Sequence, residues 1–189
     1  MHNIYDCVVS FSSLLDTEYY MILGRKGVSV SLHITFDKKD CFHLMGLQYL
    51  TDRPQLNRDR GRIFDEIKER KITAEHVETS DFYQKISDRI DRLPDLEKYF
   101  DSNDTIFKYN EKKNSFSMIQ AEYLMKNKTE FGNIFVFLGK NRDGKYFCRS
   151  FFPEEGKDYT KNQASWTLLY KEKRRLSTGE REILYNRIA

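Results

Sequence analysis

The strongest constraint in this chain is a nine-residue alternation. Val28, Val30, Leu32, Ile34 and Phe36 fall on one side, and Ser29, Ser31, His33 and Thr35 on the other. Period two is the period of a β-strand, and a clean apolar/polar split marks an antiparallel strand with one buried and one wet face. Tyr19 to Leu23 precedes it across Gly24-Arg25-Lys26-Gly27, a connection with glycine at both ends that suits a hairpin. Such a hairpin needs further strands and a cover for its apolar face, so this chain must build a sheet.

Helical spacing supplies the cover. Ile4, Val8, Phe11 and Leu15 recur along one stripe, which predicts a helix over residues 3–16. Asp40 is placed to cap a short helix from Cys41 to Leu50, Pro54 separates it from the next, and Ile63, Phe64 and Ile67 give Arg58 to Lys71 a buried stripe. Thr79 or Ser80 caps a further helix through Phe82, Ile86, Ile90 and Leu93, stopped by Pro94. Residues 72–103 therefore read as a helical insertion. It is acidic, since Glu75 to Asp104 holds nine acids against four bases, a net −5.

From Thr105 the pattern turns to strands, expected at Thr105–Tyr109, Ser117–Met125, Asn133–Lys140, Lys145–Phe152 and Ser165–Lys171. Asn141-Arg142-Asp143-Gly144 carries a hairpin signal, and Ile134 to Leu138 is apolar on both faces, as in a central strand covered on both sides. Trp166 reads as core. Helices followed by strands predict an α+β fold, with N-terminal helices packed on an antiparallel β-sheet. At 189 residues the chain is expected to form a single domain, 1–189, with a basic C-terminal tail at 172–189.

Composition excludes several classes. Aromatic residues make up 14% of the chain, too many for a disordered polymer. The longest apolar run, Ile134 to Leu138, is far short of the roughly 20 residues that cross a bilayer, so no membrane partner is expected. The first residues, Met1-His2-Asn3-Ile4-Tyr5-Asp6, show neither a basic nor an apolar leader, and a cytoplasmic location is the expectation. Cys7, Cys41 and Cys148 are odd in number and scattered, which argues for reduced core thiols and against disulfides or zinc. The formal charge of +3 matches the stretch from Lys171 to Ala189, where six bases meet three acids, so residues 1–170 are neutral in sum. Nucleic-acid contact would then use local cations such as Arg53, Arg58, Arg60 and Arg62, which read equally as a solvated helix face.

No Gly-rich phosphate loop, nucleophile elbow or His-Glu-x-x-His string occurs, and no cofactor is implied. Single residues in unusual company remain. His43, in Phe42-His43-Leu44-Met45-Gly46-Leu47, begins an apolar helix, where histidine serves as a general acid or base or anchors the helix from a buried position. His33 is the alternative acid or base among hydroxyls, or an ordinary solvent-facing histidine. Arg149, between Phe147 and Phe151, stabilises a phosphate or stacks over the rings, and strand alternation keeps it off the face of Ser150 unless a bulge intervenes. In the polar loop Pro153 to Gln163, Tyr159, Lys161 and Gln163 are placed to touch a phosphate or base, or serve only as loop residues.

Taken in order, the opening helix, the Tyr19-Tyr20 strand, Ile34-Thr35-Phe36, Phe42-His43-Leu44-Met45-Gly46-Leu47, Arg60-Gly61-Arg62-Ile63, Arg149-Ser150-Phe151-Phe152, Tyr159 and Gln163 resemble a known family. It is the phage-associated branch of the barnase, EndoU, colicin and RelE-like nuclease superfamily. The resemblance implies an α+β, metal-independent RNA endonuclease in which the ribose 2′-hydroxyl attacks the adjacent phosphate. It further implies His43 as acid or base, Arg149 as charge stabiliser, and Ser150 or Tyr159 as a hydrogen-bonding partner of the phosphate. His33, Arg60, Arg62, Tyr159, Lys161 and Gln163 would bind substrate. The implied partners are RNA, for example tRNA or another structured RNA, and an antitoxin or host protein, in a toxin or host-takeover role. The competing expectation is a non-catalytic phage or mobile-element protein that binds a host protein or nucleic acid on the same scaffold.

Overall fold

The structure, a computed structural model, describes residues 2–103, 105–114, 117–130 and 132–188. Asp104, which ends the acidic stretch, and Met1 and Ala189 at the chain ends lie outside the described residues, as do Ser115, Phe116 and Phe131. The chain divides into two compact units. One comprises residues 1–15 and 37–97, and the other residues 16–36 and 98–189.

The first unit is helical. Helix α1 (Ile4–Leu14) starts at a reciprocal cap, in which Asn3 accepts the Asp6 amide and Asp6 accepts the Asn3 amide, and it buries Ile4, Cys7, Val8, Phe11 and Leu14. Helix α2 (Lys38–Met45) starts at Asp37 rather than Asp40. The two aspartates are three residues apart, so Asp37 takes the cap and Asp40 becomes the partner that accepts the Asp37 amide at 3.0 Å. Gly46 ends the helix with φ +80, and a Cβ there would stand 2.8 Å from Ile86 Cγ2, so both backbone and space demand glycine. Helix α3 (Arg60–Lys68) is shorter than the expected 58–71, and its Phe64 ring meets Phe11 edge-on at 6.4 Å. The segment expected as one helix to Pro94 is broken. Helices α4 (Ala74–Glu78) and α5 (Ser87–Arg92) are separated by a 3-10 turn at Tyr83–Lys85, and a second such turn at Leu93–Asp95 leads into α6 (Leu96–Asp101), whose residues from Lys98 belong to the second unit. Cys7, Cys41 and Cys148 are buried and free. Among the described residues, no helix is long and apolar enough to cross a membrane.

The second unit corrects the expected sheet. Strands β1 (Thr17–Arg25), β2 (Val28–Ile34), β3 (Thr105–Lys108), β4 (Tyr123–Thr129), β5 (Gly132–Lys140), β6 (Tyr146–Pro153), β7 (Ala164–Arg175) and β8 (Arg181–Asn186) pair in the order β1-β2-β6-β5-β4-β3-β7-β8. A further β1–β7 ladder closes seven of them into a barrel, with β8 continuing outside the ring. The α+β class holds, but the sheet is neither open nor wholly antiparallel. β2 and β6 meet in parallel at one bridge, Ile34 to Tyr146. Closure removes the strand edges that an open sheet would expose.

Local chemistry explains the pieces. The β1–β2 turn is Lys26-Gly27, with φ of 50 and 79, the positive-φ pair that a two-residue hairpin prefers. β4 begins at Tyr123, later than the expected Ser117, and runs to Thr129 so that it pairs with β5 through Thr129–Gly132. The basic C-terminal stretch is sheet: β7 runs to Arg175 and β8 returns from Arg181.

Thr17, Tyr19, Met21 and Leu23 alternate into the barrel, with Leu32, Ile34, Val136, Leu138 and Phe151. Lys171 is there too, with 0% exposure. Its ammonium donates to the carbonyls of Phe100, at 2.9 Å, and Ser102, at the carboxyl end of α6. Those carbonyls have no intrahelical donor and carry the negative end of the helix dipole, so they compensate a cation taken out of water. Beside it Lys173 pairs with Asp101 at 2.9 Å, and the Tyr19 hydroxyl donates to the same carboxylate at 2.6 Å.

Lys171→Ala should therefore cost about 3 kcal/mol of stability in urea denaturation, from the cavity and the abandoned carbonyls together. Lys171→Met, which refills the volume, should recover part of that loss. A second expectation concerns pH. Burial pushes the Asp40 carboxyl up to about 6. Its folded form holds a proton that the unfolded chain releases at lower pH, so stability should fall as pH rises through the ordinary carboxylate range to about 6. Asp40→Asn, which keeps the acceptor for the Asp37 amide, should flatten that slope in denaturation midpoints taken from acid to neutral pH.

Candidate active site

The alternation that buries one side of β1 and β2 sets Glu18, Tyr20, Ile22 and His33 on the other. Cross-strand register then fixes their neighbours. His33 lies opposite Tyr20, Tyr20 opposite Glu172, Glu18 opposite Arg174, and Arg174 opposite Arg181. Two bulges, after Ile22 in the β1–β7 ladder and after Lys171 in the β7–β8 ladder, bend the sheet at this place. The result is a concavity of about 680 Å³ on the outer face, lined by Glu18, Tyr20, His33, Tyr170, Glu172 and Arg174, with Ile22, Arg181, Asn186 and Ile188 around them.

Two acid–base pairs face each other in it. His33 Nδ1 stands 3.8 Å from Glu18 Oε1, with the histidine side chain 53% exposed and the glutamate 16%. The Tyr170 hydroxyl donates to Glu172 Oε2 at 2.8 Å, and that carboxylate holds the phenol above its ordinary range. The Tyr20 ring lies between the pairs, 4.7 Å from the His33 ring and 6.2 Å from that of Tyr170. Lys145 reaches Glu18 at 4.0 Å and Arg181 reaches Glu172 at 3.7 Å. Arg174 sits between Glu18 and Arg181 in the strand register and lines the concavity. A face with paired proton carriers beside guanidinium groups is equipped to move protons at an anionic centre. Among the described residues, no group of three or more His, Cys, Asp or Glu side chains could hold a metal ion.

Of the residues singled out from sequence, His33 alone lies in this concavity. His43, Arg60 and Arg62 belong to the helical unit. His43 is half-buried on α2, its carbonyl accepting the Gly46 amide at 3.1 Å. Arg60 lies over the Phe42 ring at 5.5 Å, and Arg62 pairs with Glu66 at 3.0 Å. The others belong to the barrel unit. The β5–β6 ladder contains the bulge that the alternation rule required: Phe137 faces Ser150 while Leu138 faces Cys148, so Arg149 is the extra residue and both it and Ser150 are half-buried. The Arg149 guanidinium lies 6.0 Å from the Phe147 ring. Tyr159 packs into an aromatic cluster, 5.4 Å from both Phe137 and Phe152. Gln163 bonds the Asn110 amide and carbonyl at 2.9 and 3.0 Å, and Lys161 is exposed. Trp166 is half-buried, opposite Ile106.

Glu18, Tyr20, Tyr170, Glu172, Arg174 and Arg181 escaped the sequence reading. The signal for the first two was the parity of the opening hairpin, whose wet face includes Glu18 and Tyr20 as surely as His33. The other four lie on strands β7 and β8, at the edge of or inside a stretch that charge counting had labelled a tail.

The chain belongs to the family described as phage-Barnase-EndoU-ColicinE5/D-RelE like nuclease4, whose sequence model matches residues 3–187. It is thus a nuclease-family protein of phage type. No curated protein and no solved structure matches the chain.

Glu172→Gln tests the electrostatics of the face. The neutral amide should bring the Tyr170 phenol back toward its ordinary titration range, read as an earlier tyrosinate absorbance step in alkaline titration.

Proposed function

We propose that this protein is an RNA endonuclease that cleaves by attack of the ribose 2′-hydroxyl on the adjacent phosphorus, and that the Glu18–His33 face does the chemistry. The observation that carries the reading is the 3.8 Å approach of His33 to Glu18 in an open concavity that also holds Arg174. The Glu18 carboxylate takes the proton from the 2′-oxygen as that oxygen bonds to phosphorus. The bond from phosphorus to the 5′-oxygen breaks, and His33 gives the departing oxygen a proton. The products are a 2′,3′-cyclic phosphate and a free 5′-hydroxyl, with proton number conserved. Arg174 holds the charge that grows on the non-bridging oxygens, and the shielded position of Glu18 strengthens every interaction there. Arg181 and the Tyr170 hydroxyl border the same anion. Family membership supports the nuclease class and phage type; the role proposed with it is that of a toxin or host-takeover enzyme acting on a structured RNA such as tRNA.

The test is cleavage of tRNA and of a structured RNA in EDTA, with end-group analysis. Wild type should leave cyclic phosphate ends, while Glu18→Gln, His33→Ala and Arg174→Ala should each lose about 10²- to 10⁴-fold in rate with the fold retained. His43→Ala and Arg149→Ala belong in the same panel. Loss in those two with His33→Ala fully active would move the site to His43, Arg149 and Ser150. RNA binding without cleavage would leave a non-catalytic interaction protein.

A further inference from the structure

A second concavity, of about 520 Å³, opens in the same barrel unit where β3 and β5 end and β4 begins. Three lysines, Lys108, Lys112 and Lys140, and two glutamates, Glu111 and Glu122, line it together with Tyr109. Lys108 is held in place, its ammonium 3.0 Å from Glu122 and 4.4 Å above the Tyr123 ring. Lys140 reaches over the Tyr146 ring at 5.4 Å. Among the described residues, the ammonium groups of Lys112 and Lys140 are paired with no carboxylate.

A chain of contacts leads from this concavity to the first. Glu122 accepts from the Tyr146 hydroxyl at 3.4 Å. Lys145, the next residue back along the chain, stands 4.0 Å from Glu18, which faces His33. Cations therefore gather in this concavity, Lys112 from the turn after β3 and Lys108 and Lys140 from the ends of β3 and β5, and Lys145, just before β6, stands at the proposed acid–base pair. All four are lysines. An ammonium is a compact point charge without the planar fork by which arginine reads a base edge or grips a phosphate in one geometry. A group of them suits a polyanionic backbone that passes in any sequence.

We propose that Lys108, Lys112 and Lys140 form a second, sequence-indifferent subsite for backbone phosphates of the RNA strand that is cut at the Glu18–His33 face, with Lys145 as the link. The inference rests on the nuclease reading. Its consequence is that the protein holds RNA several nucleotides away from the cut, so affinity grows with RNA length until both concavities are filled.

The experiment measures binding of the full chain to 2′-O-methyl oligonucleotides of increasing length, which cannot be cut, over a series of salt concentrations. Wild type should gain affinity with length. In Lys108→Gln/Lys112→Gln/Lys140→Gln, that gain should shrink, and the slope of log affinity against log salt for the longest RNA should fall by about 0.7 for each lysine removed. Lys112→Gln alone, whose side chain supports no other, should lower the slope by about one such step, which guards against a folding defect in the triple variant. The same length gain and the same slope in both variants would overturn the proposal. So would a wild type that binds no RNA at low salt. Salt-dependent binding that weakens with the lysines, in a protein that cuts no RNA, would sustain the subsite and remove the nuclease reading instead.

Discussion

Strand β7 is the member on which the rest of the second unit depends. It pairs with β3 through Ala164–Trp166, with β1 through Thr167–Arg175 and with β8 through Tyr170–Arg174, so one strand both closes the ring and carries the extra strand. Closure has a cost in specificity, because one side of β7 must fill an interior while the other meets solvent. The chain meets it with two lysines on the inner side. Lys171 gives its charge to the end of α6, and Lys173 gives its charge to Asp101. A hydrocarbon side chain in either place would fill volume, yet it would take the donor from the α6 carbonyls or the cation from Asp101, which would keep only the Tyr19 hydroxyl.

The opposite side of the same strand carries Tyr170, Glu172 and Arg174, so the packing that fixes the lysines also fixes the proposed site. Bulges make this possible. Each inserted residue changes which side chains look outward and tightens the local twist; one shift comes just before Tyr170 and another falls between Lys171 and Glu172. A third sits at Arg149. It brings Arg149 beside Phe147 and Gly139, where a Cβ would meet the Phe147 ring at 3.0 Å.

Much of the fold could be read from side-chain period. The hairpin Tyr19 to Phe36, the stripe of α1 and the doubly apolar β5 follow from period two or 3.6, because burial is decided residue by residue along an element. Ring closure could not be read. It depends on the β1–β7 ladder, which joins residues about 150 positions apart in sequence and leaves no local pattern. The cap of α2 was misassigned because Asp37 and Asp40 satisfy the same short-range rule. The charged tail misled for a different reason: formal charge counts Lys171 and Arg174 alike, whereas one is inside the barrel and the other outside. Of the site, His33 was visible from its parity. Its partners from β7 and β8 come from a distance that no motif spans.

The β2–β6 contact gives the barrel an unequal circumference. Every other junction in the ring is a ladder of several residues, while this one consists of Ile34 opposite Tyr146 with a hydrogen bond of 3.0 Å from the Thr35 amide to the Tyr146 carbonyl. In mechanical terms the cylinder is a split sleeve, stiff around its back and joined at the front by a single rivet. Local opening costs least where the fewest bonds must break, and this joint holds the fewest of any in the ring. His33 and Lys145 sit on its two lips, one residue from the rivet on each side. The spacing between these two side chains therefore rests on the shortest seam of the ring, while the rest of the cylinder is stitched by full ladders.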